Sequence, residues 1–197
     1  IVASGTFERP QVFFNSDLPG VMLGTGVLRL LNLEGVKAGE RALVVSAHDE
    51  GLATAGELLR SGITVVGVVE TRTKLPIDLP VLQELQQAGV PILPGYTISG
   101  ALGRGRVTGG VAGRLDSAGH VLAGTSIAFD CDLIVVSTAK DTSRALLHQS
   151  GATMEYDEDL GVFIPAELPD GVYAAGEVTG SLGLPMTLLQ GKIAGLD

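Results

Sequence analysis

Glu70 and Glu177 are the two carboxylates in this chain whose surroundings suit chemistry. Glu70 ends an almost unbroken apolar run, Ile63-Thr64-Val65-Val66-Gly67-Val68-Val69, and lies 70 − 51 = 19 residues beyond Gly51. An acid about 20 residues after a G-x-G-x-x-G turn is placed to bond a nucleotide ribose, while a nearby arginine suits a 2′-phosphate. Arg72 follows closely. The turn aligned with that pattern reads Ser46-Ala47-His48-Asp49-Glu50-Gly51, so only the third glycine is present. The third glycine serves close helix–strand packing, and the second lets backbone approach a pyrophosphate. His48 intrudes at that second position. Asp49 and Glu50 suit a helix dipole but repel a pyrophosphate. Two readings stay open: a nucleotide pocket preferring NAD, with Gly51 and Glu70 facing the cofactor, or a βαβ fold with a degenerate or empty pocket.

Glu177 sits in Val172-Tyr173-Ala174-Ala175-Gly176-Glu177-Val178-Thr179-Gly180, ahead of a helix starting at Pro185. The pattern brings an acid and a helix N-terminus to one point. A carboxylate there can accept from a polyol, and free helix N–H groups can meet a phosphate or an electron-rich ring oxygen. The plainer alternative is that Glu177 caps a turn.

Other chemistries lack their residues. The histidines at 48, 120 and 148 form neither H-x-x-x-H nor H-E-x-x-H, so no metal site is expected. The single cysteine, Cys131, excludes a disulfide scaffold, a four-cysteine zinc site and an intramolecular dithiol centre, and is expected to be an inert core thiol. Neither G-x-S-x-G nor a P-loop lysine occurs. Glu155, Asp157, Glu158 and Asp159 read as a solvated turn. Lys+Arg is 13 against Asp+Glu 22, a net charge of −9, which argues against a nucleic-acid partner. The uncharged stretch from Leu85 to Gly103 is broken by Gln86, Gln87, Pro91 and Pro94, so no membrane span is expected. No signal peptide leads from Ile1, and the expected protein is soluble and cytoplasmic. The lack of an initiator Met suggests a processed or excised piece.

The elements that must position these groups follow from the apolar spacing. Val21 to Leu33 suits a helix. Arg41 to Ser46, Glu50 to Arg60 and Ile63 to Glu70 form strand, helix and strand, the signature of a βαβ unit in a parallel sheet. A helix at Leu79 to Ala88 and a short strand at Val90 to Leu93 follow. Tyr96 to Leu102, Arg106 to Leu115 and Val121 to Asp130 read as a β-meander, and Asp132 to Ser137 as another buried strand. Ser143 to Gln149 suits a short helix, Gly161 to Pro165 and Gly171 to Ala175 two strands, and Pro185 to Ala194 the last helix. The fold class is α/β, Rossmann-like and dinucleotide-binding, three-layered, with a parallel sheet plus β-meander.

Four blocks carry a family resemblance. Ile1-Val2-Ala3-Ser4-Gly5-Thr6-Phe7-Glu8-Arg9-Pro10 resembles an A-T-G-x-x-x-R-P crossover. Asn15-Ser16-Asp17-Leu18-Pro19-Gly20-Val21-Met22 is similar to an N-x-D-x-P-G-V-M segment. His148-Gln149-Ser150-Gly151 resembles an H-x-Q-S-G region. Gly176-Glu177-Val178-Thr179-Gly180 with Gln190-Gly191-Lys192-Ile193-Ala194-Gly195 looks like a closing flavin motif, G-[DE]-V-T-G…E-G-x-I-A-G. Together they resemble the FAD/NAD(P)-dependent pyridine nucleotide–disulfide oxidoreductase-like family, and within it the group of sarcosine oxidase α subunits, opine oxidase and hydrogen cyanide synthase flavoprotein subunits.

That resemblance implies a partial FAD-type domain from residues 1–36 and 132–197, and an inserted NAD-type domain over 37–131. It implies FAD and/or NAD in the intact enzyme, with Gly5, Gly176, Glu177 and Pro185 on the cofactor side in one domain and Gly51 and Glu70 in the other. The implied activity is hydride transfer from a C–N bond to flavin, with no catalytic residue in this chain. The implied partners are other subunits of a hetero-oligomeric oxidase, or a missing N-terminal part. The family's first G-x-G-x-x-G would precede Ile1, so the chain alone is expected to bind FAD weakly or not at all. No C-x-x-C occurs, which excludes a thiol mechanism, and the usual G-x-x-P after the return strand reads Ser137-Thr138-Ala139-Lys140. The chain is accordingly expected to be a fragment of a larger subunit. The rival readings are a non-catalytic dinucleotide-fold scaffold module and an NADH-dependent electron-transfer component.

Overall fold

Alternation along the apolar runs decides the architecture. Ala42 and Val44 pack to one side of their strand, and Leu43 and Val45 to the other. A strand buried on both faces needs a layer on each. The computed structural model, which describes residues 1–76, 78–181 and 183–196, supplies both layers. In chain order its elements are β1 (Thr6–Glu8), β2 (Val21–Leu23), α1 (Gly24–Glu34), β3 (Arg41–Ser46), α2 (Asp49–Arg60), β4 (Thr64–Glu70), α3 (Pro80–Gln87) and β5 (Ile92–Pro94). Then come β6 (Tyr96–Leu102), β7 (Gly109–Arg114), β8 (Ile127–Phe129), β9 (Leu133–Ser137), β10 (Lys140–Thr142) and α4 (Ala145–Ser150). The chain ends in β11 (Thr153–Asp157), β12 (Val162–Glu167), a 3₁₀ turn at Gly176–Thr179 and α5 (Leu184–Ala194).

These elements form two compact units, one of Ile1–Arg9 with the chain from Lys140 onward, the other of Pro10–Ala139. The larger unit holds a parallel sheet in the order β2-β9-β3-β4-β5 and an antiparallel sheet β6-β7-β8. Val27 of α1, Leu52, Ala55 and Leu58 of α2, and Leu82 and Leu85 of α3 cover one face of the parallel sheet. Ile98, Ala101 and Ala112 of the antiparallel sheet cover the other. Helices, parallel sheet and meander are the three layers that the sequence leads one to expect.

The smaller unit pairs β1 with β10 and β11 with β12, both antiparallel. Its core gathers Leu147, Ala152 and Val178, with Val2, Met154, Val172 and Ala174 packed around them.

Three details depart from the sequence reading. Val21–Leu23 is a strand rather than the first turn of a helix. Val21 pairs with Ile134 and Leu23 with Val136, and this tertiary pairing overrides a helical spacing that fits only from Gly24 onward. β2 and β9 both pair within the sheet of β3, and the two compact units meet in sequence near Arg9/Pro10 and Ala139/Lys140. Glu155 and Asp157 lie on β11, and only residues 158–161 form the turn, where the Leu160 N–H bonds Asp157 Oδ1 at 2.9 Å. Gly171–Ala175 makes no strand but a single parallel bridge, Val2 to Ala174. Among the described residues no helix is long and apolar enough to cross a membrane.

Candidate functional site

The carboxyl end of the parallel sheet brings Ser46, Gly51, Glu70 and Arg72 together. Ser46 ends β3 and Glu70 ends β4, and the two are register partners. Glu70 is 0% exposed. Its Oε1 accepts from the Arg72 backbone N–H at 2.9 Å and from Arg72 Nε at 3.1 Å. Its Oε2 accepts from Arg72 Nη2 at 3.0 Å and from the Ser46 hydroxyl at 2.9 Å. Arg72 Nη1 reaches on to Asp49 Oδ1 at 2.7 Å. Its side-chain hydrogen bonding to Glu70 is the main cause that raises the Arg72 pKa further above its ordinary value.

Gly51 stands in the first turn of α2, against the strands. A Cβ there would lie 2.5 Å from Ser46 Oγ and 2.8 Å from the Ser137 carbonyl oxygen, so only glycine permits this approach. The packing role assigned to the third glycine of the nucleotide pattern is thus visible in the geometry. The His48 side chain caps α2, its Nδ1 facing the Gly51 N–H at 3.3 Å, and Asp49 and Glu50 occupy the first turn.

A second cluster lies in the smaller unit. Thr6 on β1 donates its hydroxyl to Glu177 Oε2 at 2.5 Å, from a position 171 residues away in sequence. Gly5 beside it has φ +69°, with open space where a Cβ would be. The turn that carries Glu177 begins at Gly176, φ +83°, a left-handed conformation favouring glycine. The Gly176 N–H donates to Gln190 Oε1 at 2.8 Å, and Gln190 Nε2 donates to Ser181 Oγ at 2.5 Å, so α5 is tied to the turn. Helix α5 starts after Gly183 with no side-chain cap and with Pro185 in its first turn.

Gly5, Gly176, Glu177 and Pro185 therefore all stand on the elements of one unit, and Gly51 and Glu70 on those of the other. Sequence reasoning missed Thr6 and Gln190 and did not pair Arg72 with Glu70. The available signals were a hydroxyl next to Gly5 and an amide at the head of Gln190-Gly191-Lys192-Ile193-Ala194-Gly195.

Cys131 is buried, and burial, then the neighbouring Asp132 and Asp130, push its thiol up from 9.0 to about 11. A folded-state pKa above the unfolded one gives a contribution to stability that is present below pH 9 and lost as pH rises through 11. Urea titrations across that range should show wild type losing more stability than Cys131→Ala. Parallel curves for the two proteins would refute the assignment.

No protein-family model matches the chain. Over 193 residues, 97% of its length, it is 30% identical to sarcosine oxidase subunit alpha from Corynebacterium sp. strain U-96, of which it covers 19%. Among solved structures it is similar to T. acidophilum thioredoxin reductase, with a TM-score of 0.73 and 19% identity over 98% of this chain and 62% of that one. In sequence the chain is similar to part of a sarcosine oxidase α subunit, and in fold to FAD/NAD-dependent oxidoreductases. L-proline dehydrogenase from P. horikoshii shares the fold as well, with a TM-score of 0.62 and 18% identity over 98% of this chain and 32% of that one. The chain thus spans about a fifth of its sarcosine oxidase relative, which is by name one subunit of an enzyme. As in those two structures, the fold is α/β and of the FAD/NAD-binding Rossmann type.

Proposed function

We propose that this chain is the cofactor-holding part of an α subunit in a flavin-dependent oxidoreductase acting on amines or amino acids. The observation that carries the reading is Glu177, held by Thr6 on a glycine turn that Gln190 ties to α5. The resemblance to sarcosine oxidase subunit alpha supports the substrate class. A bound flavin supplies hydride acceptance from a substrate C–N bond.

The residues present fit a dinucleotide in the smaller unit. Thr6 occupies one oxygen of Glu177 and fixes its direction, leaving acceptor capacity on the carboxylate for a polyol hydroxyl. Gly5, with nothing within 4 Å of its would-be Cβ, leaves room for backbone to approach a ligand. The α5 N-terminus has no side-chain cap, so its first-turn N–H groups are available to a phosphate. The smaller unit is the FAD-type domain in this reading, and its partners are the remaining subunits or the rest of the same protein.

The test is flavin content of the full-length protein, read by absorbance after release. Wild type is expected to retain flavin, and Glu177→Ala to weaken it by about tenfold, the loss of one charged hydrogen bond. Unchanged flavin affinity in Glu177→Ala would remove the basis for this assignment.

A further inference from the structure

Doubly wound sheets receive ligands outside the carboxyl ends of their strands, where the strand order reverses. In this chain the reversal falls between β3 and β9, at the register partners Ser46 and Ser137. The family implies a dinucleotide at such a crevice, and the residues here do not fit one.

Three facts exclude it. An ionised carboxylate offers about four acceptor positions. Four donors already meet the two oxygens of Glu70, three of them from Arg72. A ribose hydroxyl could reach this wholly buried carboxylate only by displacing one of these donors. Second, the Gly51 N–H, which would face a pyrophosphate, is met by His48 Nδ1. Third, Asp49 and Glu50 hold the helix end negative, and Arg72 is already shared between Asp49 and Glu70.

What remains of the nucleotide pattern is Gly51, whose work is packing. We infer that the β3–α2–β4 crevice does not take a dinucleotide, and that Arg72 stands in for a ligand as an internal strap from Glu70 to Asp49. The strap joins the end of β4 to the start of α2, a connection that in a nucleotide-binding relative of this fold would run through ribose and pyrophosphate. The inference concerns the larger unit alone and does not depend on the reading of Glu177. It disfavours an electron-transfer component that draws on NADH at this crevice.

Hydrogen–deuterium exchange on the full-length protein tests it. Peptides covering residues 46–52 and 70–72 are followed with and without millimolar NAD⁺, NADH and NADP⁺. Identical exchange in these peptides is expected with all three ligands, whatever happens in peptides from 176–194. Protection at 46–52 and 70–72 by any of them would overturn the inference, and protection by NADP⁺ alone would mean that Arg72 serves a 2′-phosphate. A second measurement tests the strap itself. Arg72→Met should speed exchange in both peptides by at least about tenfold through easier local opening. Unchanged exchange in that variant would show that Arg72 ties nothing. A failed Glu177 test leaves both results untouched, because neither reads the smaller unit.

Discussion

Arg72→Ala is expected to lower the unfolding free energy by about 3 kcal/mol, the low end of the range for orphaning a buried charge. The reason lies less in the arginine than in what it leaves behind. Glu70 is wholly buried at the end of a central strand, and Arg72 supplies three of its four donors, one of them a backbone N–H that survives the substitution. Ser46 remains as the only other donor among those described. The Arg72 side chain is itself 30% exposed, so water can enter after truncation and soften the loss. Arg72→Lys should recover part of the stability, because an ammonium restores charge but cannot reproduce the two-pronged contact from Nε and Nη2. Adding Glu70→Gln to Arg72→Ala should restore more than the sum of the single changes, since the charge that needed a partner is gone. Urea denaturation of wild type, the three single variants and the double variant measures this. If Arg72→Ala costs less than about 1 kcal/mol, the pair behaves as an ordinary surface bridge and the strap has no structural weight.

Much of the larger unit was legible because its strands are buried on both faces. Runs such as Ala42-Leu43-Val44-Val45 and Val65-Val66-Gly67-Val68-Val69 need no partner to be recognised, and the helix between them has apolar residues at Leu52, Ala55 and Leu58. The meander was legible from its glycine turns. Val21–Leu23 was not, because three residues carry no period of their own and only pairing with β9 makes them a strand. Nor was β11, an outlying hairpin strand whose acidic residues look like a solvated turn until its pairing with β12 is seen. The site followed the same division. Gly51 and Glu70 were readable from spacing along one βαβ unit. Thr6 with Glu177 was not, since 171 residues separate the hydroxyl from the carboxylate and no local pattern links them. Arg72 was visible as a cation near a ribose-binding position. That it turns inward onto Glu70 is a matter of side-chain direction, which spacing does not carry.

Gly51→Val carries the other large effect, and it separates packing from ligand binding. The Cβ of any side chain at this position would meet Ser46 Oγ at 2.5 Å, Ser46 Cβ at 2.8 Å and the Ser137 carbonyl at 2.8 Å. Two of those neighbours cannot swing aside: one is backbone of β9 and the other is bonded directly to the backbone of β3. Relief requires the first turn of α2 to lift from the sheet. That movement would carry Asp49 away from Arg72 and disturb the Ser46 hydroxyl, which bonds Glu70. Overpacking of this kind costs about 2–3 kcal/mol. Gly51→Ala meets the same three atoms and should cost nearly as much, with the two γ-methyls of valine adding the remainder. Helix propensity pulls the other way, since alanine is favoured over glycine by about 1 kcal/mol within a helix, so a stabilised Gly51→Ala protein would show that α2 can lift freely. Thermal or urea unfolding of both variants decides between these outcomes. A shared loss, larger for valine, would tie the one surviving glycine of the nucleotide pattern to the close contact of α2 with β3 and β9.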